Sequence, residues 1–91
     1  MAPRKPPPAF RPFTRTSGGR EELWAILVLG SQVKLKMGWL DQTDQQLYKR
    51  IEKLPSKGEA SAEAERLIAE RRAAGWVEQP ADRMPRADGK A

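Results

Sequence analysis

Leu23, Ile26, Leu27, Gly30, Val33 and Met37 recur at steps of three and four residues, the stripe of an amphipathic helix. Glu21 and Glu22 fall in what would be its first turn, where the helix dipole favours carboxylates. Within the same stretch Val33-Lys34-Leu35-Lys36-Met37 alternates with period two, and Gly30-Ser31 can form a turn, so a hairpin stays open beside the helix. The acidic start and the proline-free run over 20–37 favour the helix. Gly38 closes this element, and Trp39-Leu40 lead out of it. Thr43-Asp44-Gln45-Gln46 matches a capping box and predicts a second helix to Leu54, burying Leu47, Ile51 and Leu54, with Tyr48 beside them and Pro55 as the stop. Ser56-Lys57-Gly58-Glu59 is a further capping box, with Ser61 an equally good cap. The third helix then reaches Ala74, with Ala60, Ala64, Leu67, Ile68 and Ala74 on one side. Arg71 and Arg72 suit its C-terminal end, and Gly75 suits the left-handed position after it.

These elements predict a mainly α domain of three helices over 20–78. Proline governs what precedes it: residues 1–20 hold five prolines, five cations and no acid. Proline lacks a backbone donor and has a fixed φ, so residues 1–19 read as an extended, disordered basic arm. Residues 79–91 have little to bury and read as a mobile tail. A folded part of about sixty residues buries only ~60% of its unfolded surface, so a partner or a second copy, as in a homodimer, is a candidate support. Trp24, Trp39 and Trp76 read as core anchors, one per element.

With neither cysteine nor histidine, the chain lacks a disulfide, a thiolate zinc site and the commonest general base. No other catalytic constellation is recognisable, so the expected protein is not an enzyme and carries no cofactor or metal. The run Leu23–Leu29 is too short to cross a bilayer, which needs ~20 residues. A cytoplasmic protein without membrane contact is expected. The richness in Ala, Arg, Gly and Pro suits a GC-rich bacterial, phage or plasmid source.

The formal net charge is +5 and unevenly spread, with +5 over 1–20, +3 over 34–57 and −2 over 58–78. A localised patch of this kind attracts polyanions. The candidate nucleic-acid contacts are Arg4, Lys5, Arg11, Arg15 and Arg20 in or next to the arm, and Lys34, Lys36, Lys49, Arg50, Lys53 and Lys57 in the middle of the chain. Phe10 and Phe13 flank Arg11-Pro12 and are candidates for stacking on bases or filling a protein groove. The plainer readings are a solubilising tail and a solvated helix surface. Thr16–Arg20 reads as a hinge and cap ahead of a phosphate cradle.

Leu67–Glu78, with the charged Asp82-Arg83 after it, resembles the junction between recognition helix and wing in winged-helix regulators. That resemblance implies that Thr43–Leu54 is the positioning helix. The leading expectation is a small nucleic-acid-binding accessory or regulatory protein, for DNA or RNA, using the arm and a basic central helix. The alternative is a phage- or plasmid-type adaptor or inhibitor that occupies an acidic protein surface in a host complex. A contiguous basic surface with buried tryptophans favours the first. An exposed apolar patch beside acidic residues favours the second.

Overall fold

Two-residue glycine turns decide the architecture. Gly18 and Gly19, with φ of 57° and 83°, join Arg11–Ser17 (β1) to Arg20–Leu29 (β2). Gly30, with φ of 61°, and Ser31 join β2 to Gln32–Trp39 (β3). Positive φ at these positions gives the loop a twist that matches the flanking strands. Tyr48–Lys53 (β4), the helix Lys57–Ala73 (α1) and Val77–Glu78 (β5) complete the fold, and the computed structural model describes residues 9–85. The strands form one antiparallel sheet in the order β4-β3-β2-β1-β5, with α1 packed on one face.

The three-helix expectation is therefore overturned. Its first helix is the β2–β3 hairpin, the alternative that the alternation of Val33–Met37 and the Gly30-Ser31 turn support. Its second shrinks to one 3-10 turn, Asp44–Gln46, followed by the strand β4. The capping box is present, with the Gln46 Oε1 accepting from the Thr43 amide at 2.9 Å, yet it caps a turn and not a helix. The winged-helix analogy falls with it, since no positioning helix exists among the described residues and β5 pairs with β1. Only α1 stands where a helix was expected. Ser56 accepts from the Glu59 amide at 3.2 Å at its start, and Arg71 and Arg72 lie in its last turn.

The helix side of the sheet is the main core. Phe13, Trp24, Ile26, Val33 and Leu35 pack against Ala60, Ala64, Ile68 and Trp76. Phe13 and Trp24 are cross-strand partners with ring centroids 5.4 Å apart. The far side is also covered, because Pro12, Thr14, Leu23, Ala25 and Leu47 are all buried. Part of that cover comes from the segment after β5. The Gln79 Nε2 donates to the Thr14 Oγ1 at 3.0 Å, and the turn Ala81–Arg83 lies against β1, with Arg83 bonded to Glu21.

The stretch read as a free arm thus enters the sheet at Arg11. Pro12 is tolerated in β1 because of the flank it faces. Its carbonyl accepts from the Gln79 amide at 2.8 Å, so its ring nitrogen points to the same side. β5 ends there, and the missing donor leaves the β1–β2 ladder whole.

Candidate nucleic-acid interface

The sheet face away from α1 gathers lysines because β3 and β4 alternate in register. Val33 and Leu35 point to the helix, which turns Lys34 and Lys36 to the far side. Cross-strand pairing sets Lys34 against Ile51, Lys36 against Lys49 and Gln32 against Lys53. Lys34, Lys36, Lys49 and Lys53 therefore share one face, with Ile51 between the two lysines of β4.

Asp44 stands beside this group, held on the 3-10 turn that leads into β4. Its carboxylate lies 2.6 Å from Lys36 Nζ and 3.5 Å from Lys49 Nζ, and Lys49 also donates to the Asp44 carbonyl at 2.8 Å. The hydrogen bond from Lys36 is the main cause holding the Asp44 carboxyl below its ordinary value; burial opposes it, and the charges of Lys36 and Lys49 add to it. Among the described residues, Lys34 and Lys53 form no ion pair. Phe10 extends the surface, its ring centroid 4.5 Å from Lys36 Nζ. A shallow groove of about 330 Å³ runs between Phe10, Lys34, Lys36, Lys49 and Ile51.

The other candidate cations go elsewhere. Arg11 and Arg15 lie on the helix side of β1. Arg11 grips Glu78 through two bonds of 2.9 Å, which lower the Glu78 carboxyl and raise the Arg11 guanidinium. Arg15 bonds Glu22 at 3.2 Å and lies 4.9 Å from the ring centre of Trp76. Arg71 sits 4.9 Å from the Trp24 ring centre and 5.1 Å from that of Trp76, and burial, then the charge of Arg15, lowers its guanidinium. This layer of arginines and aromatics closes the C-terminal end of α1 and serves the fold. Arg20 stacks on Trp39 at 4.2 Å and bonds Asp41 at 2.9 Å. Arg50 is on the helix side of β4, and Lys57 opens α1. Arg4 and Lys5 lie outside the described residues.

Phe13, expected to meet a partner, is instead fully buried. Trp24 and Trp76 are buried as well, while Trp39 is half-buried beneath Arg20. The expected basic helix does not form, so Lys49 and Lys53 share a surface through strand alternation. Asp44 and Ile51 were not expected at this surface. Period-two reading of Lys34/Lys36 and Lys49/Ile51/Lys53 was the signal that could have found it. Among the described residues no three carboxylates converge as metal ligands, and no helix is long and apolar enough to cross a membrane.

No protein-family model matches the chain, and no curated protein matches it. A crystal structure of a Bacteroides fragilis protein, solved as a structural genomics consortium target, is similar in fold with a TM-score of 0.72. The two are 29% identical over 85% of this chain, which spans 22% of the length of that protein.

Proposed function

We propose that the protein is a non-enzymatic module that binds nucleic acid through its phosphates, using the lysine face of β3 and β4. One observation carries this reading. Lys34, Lys49 and Lys53 are displayed on a single sheet face with the part-buried Lys36 among them, and the carboxylate of Asp44 offsets only Lys36 and Lys49. Arg4 and Lys5 precede Phe10 in the sequence and add to the positive charge of the chain. Burial of Trp24 and Trp76 supports a polyanion over a protein ligand. The exposed large apolar residues, Leu29, Tyr48, Ile51 and Val77, are spread over three strands and form no acid-rimmed patch. Contacts of this type go to the backbone, so binding is weakly selective for sequence.

The test is fluorescence anisotropy of labelled duplex and single-stranded oligonucleotides over a salt series, with the full chain and a Lys34→Glu/Lys53→Glu variant. Removing one lysine–phosphate interaction should lower the slope of log affinity against log salt by about 0.9 on duplex DNA, so the double variant should bring the slope down by about two. No binding at low salt, or an unchanged slope in the variant, would overturn the proposal.

A further inference from the structure

Among the described residues the sheet has one long open edge, the outer flank of β4. Alternate residues of a strand aim their backbone groups at opposite flanks. The Leu54 amide donates to the Ser31 carbonyl at 2.8 Å, so the even-numbered residues of β4 face β3. Lys49, Ile51 and Lys53 then present their N–H and C=O groups outward. Tyr48 and Ile51 on this strand are 64% and 57% exposed, unusual for large apolar side chains on an edge. Its charged side chains are Lys49, Arg50 and Lys53 against Glu52.

An acidic strand suits this edge better than a second copy. Two-fold antiparallel pairing that keeps the two faces in register must centre on a single residue. Centred on Ile51, it pairs Arg50 with Glu52 twice but also sets Lys49 against the other copy's Lys53 twice; centred on Arg50 or on Glu52, it sets that residue against its own copy. Directly opposed like charges destabilise a sheet. An acidic strand with a neutral residue opposite Glu52 meets the three cations without any like-charge pair.

We infer that the β4 edge binds an extended acidic peptide as a sixth, antiparallel strand. Backbone bonds to Lys49, Ile51 and Lys53 supply affinity, and side chains supply selectivity. The peptide places carboxylates opposite Lys49 and Lys53, an aliphatic residue opposite Ile51 at the mouth of the Phe10 groove, and a third carboxylate opposite Arg50. This inference does not rest on nucleic-acid binding, since it concerns the strand edge and is read without any oligonucleotide.

The experiment is calorimetric titration of the full chain with the peptide Glu-Thr-Val-Glu-Glu-Phe between serine flanks. Its controls are a scrambled peptide of equal charge and the same peptide N-methylated at the amide facing Ile51. Ile51→Pro removes the central outward donor and spares the β3–β4 ladder, and Ile51→Thr keeps that donor. Saturable binding is expected, weakened about tenfold by the N-methyl group and by Ile51→Pro, and changed about twofold or less by Ile51→Thr. Because the N-methyl peptide leaves the protein untouched, its result stands even if the proline variant fails to fold. Equal binding of the N-methylated or scrambled peptide, or no binding at all, would overturn the inference. A negative oligonucleotide titration beside a positive peptide titration would reject the proposed function alone.

Discussion

Asp44 restrains two of the four lysines on the far face, and its removal should strengthen the surface. Asp44→Asn keeps the side-chain size and frees Lys36 and Lys49 from a full negative charge. Oligonucleotide affinity at low salt should rise about two- to fivefold, with a salt slope about one unit steeper in anisotropy titrations. An unchanged or weaker affinity would show that the two lysines are not used. The same pair has a defined acid limit. Its folded carboxyl lies below the ordinary value of 3.8, so its contribution is complete above that value and is lost as pH falls through the folded one. Single residues are unevenly legible in the sequence. The absence of histidine and cysteine is plain, and so are the lysines as a group. Which cations share a face depends on period: a helical period also joins Lys49 to Lys53, but it adds Arg50 and Lys57 and leaves out Lys34 and Lys36. The role of Asp44 is hidden because it comes from a turn that reaches back to Lys36 of the preceding strand.

Among the elements, α1 is legible because its signals are local. Ser56 closes its start, and its end is fixed by two backbone bonds, from the Trp76 amide to the Arg71 carbonyl at 3.0 Å and from the Gly75 amide to the Arg72 carbonyl at 3.1 Å. This is the paired termination that requires a left-handed residue, and Gly75 has φ of 95°. Gly75→Ala should lower stability by about 1–2 kcal/mol in chemical denaturation, through backbone strain, since a Cβ there meets no neighbour within 4 Å. The strands are hidden for separate physical reasons. β2 lies in the middle of the sheet and is covered on both faces, so Leu23, Trp24, Ala25 and Ile26 are buried in succession and show no alternation. β1 carries a proline and two arginines, and a strand reading needs the knowledge that Pro12 faces the flank where β5 ends. β4 begins beside a genuine capping box, and its own burial pattern is nearly all exposed.

Over the whole molecule, positive charge is concentrated on one side. On α1 the carboxylates Glu59, Glu63, Glu65 and Glu70 are matched by Lys57, Arg66, Arg71 and Arg72, while the far face carries Lys34, Lys36, Lys49 and Lys53 against Asp44. That excess orients an approaching polyanion towards β3 and β4. The two halves of the chain are clasped at Glu78, which binds Arg11 of β1 at 2.9 Å and Arg72 of α1 at 3.0 Å. Its carboxyl is lowered from 4.5, chiefly by the hydrogen bond from Arg11, so the clasp adds stability above that pH and loses it as pH falls through the lower folded value. Thermal melts should therefore show an acid decline that Glu78→Gln removes in part, with the variant less stable than the parent at neutral pH. An identical pH profile in both would rule out the clasp. The clasp also joins residues 67 positions apart, and β5, which follows every other strand in the chain, pairs with the first. A ribosome delivers these partners at opposite ends of the interval in which the domain is made. The β1–β4 meander and α1 can assemble as they emerge, but the outer flank of β1 stays uncapped until Val77–Gln79 are free. Until then the outer flank of β1 is a second long open edge in addition to that of β4, and that is the period in which the nascent domain most needs protection from pairing with its neighbours.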